Sequence, residues 1–327
     1  MEIKDALIIG AGISGLLCAA ELQKAGMRVL VLDKGRGPGG RMTTRRGMGS
    51  TRMDHGAQFF TVRHPRWQAW VDEMLRKGVA REWFRQAPWD NNPTGYPRYC
   101  GVDGMNAIPK YLARKLEVVC STQVCSLQRT DGNWVAESLA GDRFIGRELV
   151  VSLPLPQAWT LLETSGTDWA TKDTRAALRA VRYEKGLATL VQLKGPSAVP
   201  SPGFLKLKEE ALVWIADNQQ KGISKEPALT LHAGASFAAR HWDTTDEERG
   251  GLMLEAAKPW LGEGVVKFTC HRWGFTLPLN PYKERYLRNS GLNLTLAGDA
   301  FGGPRVEGAA LSGIAAAMAL NSPQALS

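Results

Sequence analysis

The six residues Gly10-Ala11-Gly12-Ile13-Ser14-Gly15 restrict the possible folds of this chain more than any other stretch. The apolar run Ala6-Leu7-Ile8-Ile9 leads into them. A helical pattern of Leu16, Leu17, Ala19, Ala20 and Leu22 leads out and closes at Gly26. A second run, Val29-Leu30-Val31-Leu32, ends on Asp33. Strand, glycine turn, helix, strand and acid, in that order, make a site for a dinucleotide diphosphate. Gly10 allows the tight turn, Gly12 lets backbone N–H groups approach the pyrophosphate, and Gly15 lets helix and strand pack closely. The helix N-terminus, with Ile13 and Ser14 in its first turn, offers partial positive charge to the anion. Asp33 stands where a carboxylate accepts hydrogen bonds from the adenosine ribose. FAD and NAD both fit this pattern.

A second glycine-rich turn follows the acid: Lys34-Gly35-Arg36-Gly37-Pro38-Gly39-Gly40-Arg41-Met42. After it comes Met53-Asp54-His55-Gly56-Ala57-Gln58-Phe59-Phe60. Near the far end, Leu294-Thr295-Leu296-Ala297-Gly298-Asp299 reads as a strand ending in Gly-Asp. Gly302-Gly303-Pro304-Arg305-Val306-Glu307-Gly308-Ala309 then opens a small-residue helix. In these stretches the chain resembles the flavin-dependent amine oxidase superfamily, and the resemblance selects FAD. It implies cofactor contacts from Lys34, Gly40, Arg41, Met42, Gly56, Ala57, Gln58, Phe59 and Val124. It places Asp299, with Gly298, at the ribityl–phosphate part of FAD. The helix carrying Val306, Glu307 and Ala309 would point at the flavin pyrimidine. None of the five cysteines follows the pattern of covalent flavin attachment, so non-covalent FAD is expected.

A chain of 327 residues suits roughly two domains. The order of motifs implies an α/β fold: a Rossmann-like FAD-binding domain with an inserted, mainly antiparallel-sheet substrate domain. Residues 1–62, 98–160 and 276–327 are assigned to the first, and residues 63–97 and 161–275 to the second. Apolar spacing predicts helices over 64–78, 107–116 and 245–261. Spaced apolar runs at 186–194, 204–207, 211–216, 228–233 and 265–273 predict the antiparallel sheet.

The net charge of +9 is not gathered into long blocks, which argues against nucleic acid as a partner. Lys34, Arg36, Arg41, Arg45, Arg46 and Arg52 instead flank the cofactor motifs, where they serve either as a solvated face or to steer an anionic substrate. The cysteines show no C-x-x-C spacing, which suggests neither a disulfide framework nor a zinc site. No apolar stretch approaches the roughly 18 residues of a membrane span. The first strand begins within a few residues of Met1, so no leader is expected and the cytoplasm is the expected compartment.

Further stretches resemble the renalase-like branch of the superfamily. They include Asp54 through Phe60, Trp214-Ile215-Ala216-Asp217-Asn218, Leu229-Thr230-Leu231-His232-Ala233 and His271-Arg272-Trp273. That likeness implies an oxidase that takes a hydride from 2- or 6-dihydro isomers of NAD(P)H and passes the electrons to O₂, giving NAD(P)⁺ and H₂O₂. Asn218 and His232 are the expected polar groups over the flavin, where an amide or an imidazole can hold a carboxamide. A turn role for Asn218 and a core role for His232 compete with this reading. Trp214, Trp273 and Gln58 are expected at the pocket wall. The alternatives are an amine oxidase or desaturase-like flavoenzyme with another substrate, and a non-catalytic flavin-binding redox sensor.

Overall fold

In the computed structural model, which describes residues 2–321, the chain builds two large sheets and two short two-stranded ones. The last six residues of the segment assigned as 276–327 lie outside the described residues. The larger sheet has eight strands. Its main path runs Leu287–Asn289, Leu294–Leu296, Arg143–Val151, Ile3–Ile9, Val29–Leu32, Glu117–Val119. The last five of these are mutually parallel, and Leu287–Asn289 joins antiparallel at one edge. The hairpin Val124–Thr130 and Asn133–Ser138 branches from Arg143–Val151. The parallel strands read as near-continuous apolar runs because both faces are covered. The helices Ile13–Lys24 and Val306–Asn321 cover one face, and Leu155–Glu163 packs on the other.

The second sheet has five strands in the order Phe204–Lys206, Trp214–Asp217, Ala228–His232, Tyr183–Leu193, Val265–Pro278, antiparallel at every pairing. Asp246–Ala257 is the expected helix. Thr245 caps it by accepting from Glu248 N at 3.1 Å, and acids fill its first turn. At Lys258–Trp260 it tightens to a 3₁₀ turn at Pro259, which has no N–H to continue the helix.

Several elements differ from expectation. Val265–Pro278 runs five residues past Trp273, held by its pairing with Tyr183–Leu193. The helix expected over 107–116 ends as Ala107–Ala113. The short hairpin Thr44–Arg46 with Arg52–Asp54, and the helices Lys172–Arg179 and Ala235–Arg240, are too brief or too polar to give a clear apolar period.

Candidate active site

A cavity of about 1610 Å³ lies between the sheets. It exceeds the roughly 300–1,000 Å³ of an ordinary ligand pocket and has room for a dinucleotide with a second molecule. Its walls include Gly10, Gly12, Ile13, Ser14, Asp33, Lys34, Gly40, Arg41, Met42, Gly56, Ala57, Phe59 and Val124 from the first half of the chain. Gly298, Asp299, Val306, Glu307 and Ala309 join them from the C-terminal end.

The turn after Ile3–Ile9 is built as its glycines require. Gly10 has φ +110°, and a Cβ on Gly15 would stand 2.0 Å from the Gly10 carbonyl oxygen. Gly15 itself does not line the cavity; it brings helix and strand together. A Cβ on Gly12 meets no atom within 4 Å, and the helix there has no side-chain cap. Ser14 Oγ is buried without a hydrogen-bond partner. Uncapped N–H groups and an orphaned hydroxyl on one wall fit a diphosphate. Asp33 accepts from Ala11 N at 2.6 Å and Gly35 N at 2.7 Å, which fixes the carboxylate and leaves a lone pair on each oxygen.

The two later motifs are locked together. A Cβ on Gly56 would sit 2.0 Å from Arg41 O, and Ala57 N donates to that same oxygen at 2.9 Å. Only glycine permits this approach of the 53–60 segment to the Arg41 turn. Arg41 reaches across to Asp299 with hydrogen bonds of 2.6 and 2.8 Å, and also donates to Phe275 O and Thr276 O. Tyr183 donates to the same carboxylate at 3.3 Å. Burial, and then the negative charge of Asp299, push its phenol well above the usual range. Glu307 accepts from Arg63 N and His64 N at 2.7 and 2.8 Å, tying the C-terminal helix to the loop after Phe60.

On the side of the second sheet the wall is aromatic. His55 stacks on Trp273 at 5.3 Å and 24°, and His271 stands edge-on to both rings, 4.3 Å from Trp273 and 4.9 Å from His55. Trp273 Nε1 donates to His55 O at 2.9 Å. His232 joins the cluster near His55 and lines the cavity. Burial drives His55 down to about 3, with help from His271 and Arg45; it takes His232 to about 4 and also lowers His271. At neutral pH the three imidazoles are uncharged. His55 Nδ1 and His232 Nε2 are buried with no hydrogen-bond partner.

Three expected positions lie off the cavity wall. Asn218 is fully buried and does not line the cavity. Its amide donates to Ala228 O and Thr230 Oγ1, and its oxygen accepts from Asp54 N at 3.3 Å. Its polar atoms are used inside the protein and do not face the cavity. Gln58 is buried with its amide on Asp54 O and Gly56 O, and supports the motif from behind. Trp214 is stacked on Phe204 at 5.3 Å and 2° and packs against the wall rather than forming it. Trp273 and His232 do line the cavity.

Sequence reasoning passed over Lys221. Its ammonium is fully buried and donates to Asp54 Oδ2 at 2.7 Å and Gln58 O at 2.6 Å, with the face of Trp83 4.6 Å away. Asp54 Oδ1 accepts from Thr44 Oγ1 and Met105 N. A lysine in a turn-like Gln-Gln-Lys-Gly stretch gives no local sign of such a partner.

Comparison with known proteins bears on this arrangement. Residues 8–74 match an NAD(P)-binding Rossmann-like domain, and residues 67–321 match the flavin containing amine oxidoreductase family. The chain belongs to that family. It is a FAD-dependent oxidoreductase, and the uncapped turn at Gly12 and the orphaned Ser14 fit the cofactor. Among solved structures it is similar to an engineered triple mutant of putrescine oxidase, with a TM-score of 0.76 at 14% identity over 97% of this chain and 98% of that one. It is also similar to a protein from Exiguobacterium sp. 255-15 provisionally assigned as a protoporphyrinogen oxidase, with a TM-score of 0.73 at 12% identity over 98% and 99%. At such identities these two show a shared fold. A short stretch is 54% identical over 39 residues to the ribosomal RNA dihydrouridine synthase of Escherichia coli strain K12. The match spans 12% of this chain and 10% of that protein. Among the described residues, no helix is long and apolar enough to cross a membrane.

Proposed function

We propose that this flavoenzyme oxidises 2- or 6-dihydro isomers of NAD(P)H, in the manner of the renalase-like branch. The observation that carries the reading is the indole of Trp273 set among three uncharged imidazoles on the cavity wall. FAD supplies the hydride acceptor and the route to dioxygen. The balance is dihydronicotinamide plus O₂ plus H⁺ giving NAD(P)⁺ plus H₂O₂. Such a substrate has no N–H or O–H at the carbon that is oxidised, so the protein has orientation to provide and no strong base. Trp273 offers a flat face against which a planar ring lies, and the face stabilises the positive charge that grows as hydride leaves. Neutral imidazoles donate or accept toward a carboxamide without adding a charge that would oppose the cationic product.

The unpaired cations on the cavity wall support an anionic substrate: Lys34, Arg63, Lys185, Arg272 and Arg305 make no ion pair among the described residues. Five free cysteines suit a reducing compartment and support the cytoplasm as the location. Cys125 alone of the five is among the residues lining the cavity, and its Sγ bonds to Glu137 O, which supports non-covalent FAD.

Amine oxidation is the second reading. Glu184 lines the cavity with no ion-pair partner among the described residues and could receive an ammonium group. Against it, Tyr282 and Tyr286 do not form an aromatic pair at the cavity; Tyr282 packs on Phe301 at 5.8 Å and Tyr286 packs on the core beneath the first sheet.

The test is peroxide production in air by the FAD-saturated enzyme with each dihydro isomer, ordinary NAD(P)H, putrescine and monoamines. Peroxide and NAD(P)⁺ in equal amounts from one isomer support the reading. Peroxide from an amine alone overturns it in favour of the second.

A further inference from the structure

One stretch of the cavity wall lies outside the cofactor motifs and the Trp273 cluster. Residues 85–97 leave the strand Ala80–Phe84 and return at Arg98–Gly101 as a strap. The strap is clamped from within. The buried Arg98 guanidinium donates to Arg85 O at 2.7 Å, to Tyr96 O at 2.8 Å, and to both carboxylate oxygens of Asp90. Asp90 in turn accepts from Ala87 N at 2.9 Å. Both members of this ion pair are more than nine-tenths buried. A buried pair of this kind contributes little net stability but fixes geometry.

The fixed geometry presents Trp89, Asn91 and Tyr96 to the cavity. Trp89 rests edge-on against Phe204 and Trp214, with centroids at 5.7 and 6.1 Å, and Lys206 Nζ lies 4.9 Å from its ring centre. Packing on Phe204 and Trp214 accounts for part of Trp89. It does not account for Tyr96, which is 46% exposed, or for the exposed Asn91, whose amide makes no hydrogen bond among the described residues. Two aromatic rings and a free amide on one pinned strap have the chemistry of a nucleobase site. Aromatic faces stack on any base, and an asparagine amide matches the adjacent donor and acceptor of adenine.

We propose that Trp89, Asn91 and Tyr96 form a subsite for the adenine base of a dinucleotide substrate. It lies against the second sheet, whereas Asp33, offered to the adenosine of FAD, belongs to the first. The inference rests on the proposed function in taking the substrate to be a nicotinamide dinucleotide. It adds that the base, and not the nicotinamide end alone, is recognised.

The experiment is calorimetric titration of FAD-saturated enzyme with NAD⁺, ADP and nicotinamide mononucleotide, on the natural protein and on Trp89→Ala and Asn91→Ala. Loss of one stacked base corresponds to roughly a tenfold weaker complex. Trp89→Ala is therefore expected to raise the Kd for NAD⁺ and ADP about tenfold and leave the mononucleotide unchanged. Asn91→Ala is expected to raise them about threefold, and it carries the test if Trp89→Ala does not fold. Equal affinity of the natural protein for NAD⁺ and the mononucleotide, or unchanged NAD⁺ binding in the variants, overturns the subsite. Binding of ADP that the variants lose, in an enzyme whose flavin no dihydronicotinamide reduces, supports the subsite while the proposed function falls.

Discussion

Arg41 and Asp299, 258 positions apart in sequence, meet through two hydrogen bonds of 2.6 and 2.8 Å. One belongs to the second glycine turn and the other to the strand-end Gly-Asp that opens the last helices. The pair closes the cofactor domain across the cavity and fixes two walls with one contact. Two-pronged guanidinium–carboxylate pairing sets orientation as well as distance, which lysine at position 41 could not do.

Arg41→Met leaves the largely buried Asp299 carboxylate without its partner. The expected cost is about 3 kcal/mol of stability with loss of bound flavin. Thermal melting and flavin absorbance after gel filtration check it. The double variant with Asp299→Asn is expected to recover part of the melting temperature, because the two changes act on one interaction.

The Lys221–Asp54 pair pins the second sheet to the flavin-loop motif from inside the protein. Lys221→Met strands a fully buried carboxylate and is expected to cost about 3–5 kcal/mol, measured by urea unfolding. A loss under 1 kcal/mol would show that the pair is not formed as described.

Asn218 is a structural bridge between Asp54, Ala228 and Thr230. Asn218→Ala is expected to destabilise by about 2 kcal/mol. The limiting rate of flavin reduction in the surviving fold should stay within threefold of the natural protein. Trp273→Ala should do the reverse, lowering that rate at least tenfold. Stopped-flow reduction of the two variants separates these outcomes.

The histidine cluster gives a pH dependence of definite sign. His232 is held at about 4 and His55 at about 3, against an ordinary 6.5, chiefly by burial. As pH falls from 6.5 towards 4, the unfolded chain gains protons that the folded chain does not. Stability is therefore full above pH 6.5 and declines through that window. The share of His232 is about 3 kcal/mol. Melting temperature against pH should fall on the acid side, and His232→Gln should flatten the slope.

The cofactor half was legible because its chemistry is local. The turn at Gly10, the acid at Asp33 and the Gly-Asp at 298–299 each sit beside the strand that positions them, and strand runs of apolar residues are easily read. The substrate half was less so. Asn218 and His232 each stand at the end of an apolar strand run in sequence, yet one turns into the protein and the other to the cavity. Tertiary packing alone decides between them. The meeting of His55, His232 and His271 had a faint signal, since all three lie in stretches already singled out and the chain has only five histidines. The pairing of Lys221 with Asp54 spans 167 positions and had none.

The most direct test of hydride transfer at the Trp273 wall is anaerobic single turnover with a dihydronicotinamide isomer carrying deuterium at the carbon to be oxidised. The expected result is rapid flavin bleaching, slowed by the label, with one NAD(P)⁺ formed per flavin and the rate falling at least tenfold in Trp273→Ala. Flavin that stays oxidised with every isomer, or bleaches at the same rate with and without Trp273, would contradict it.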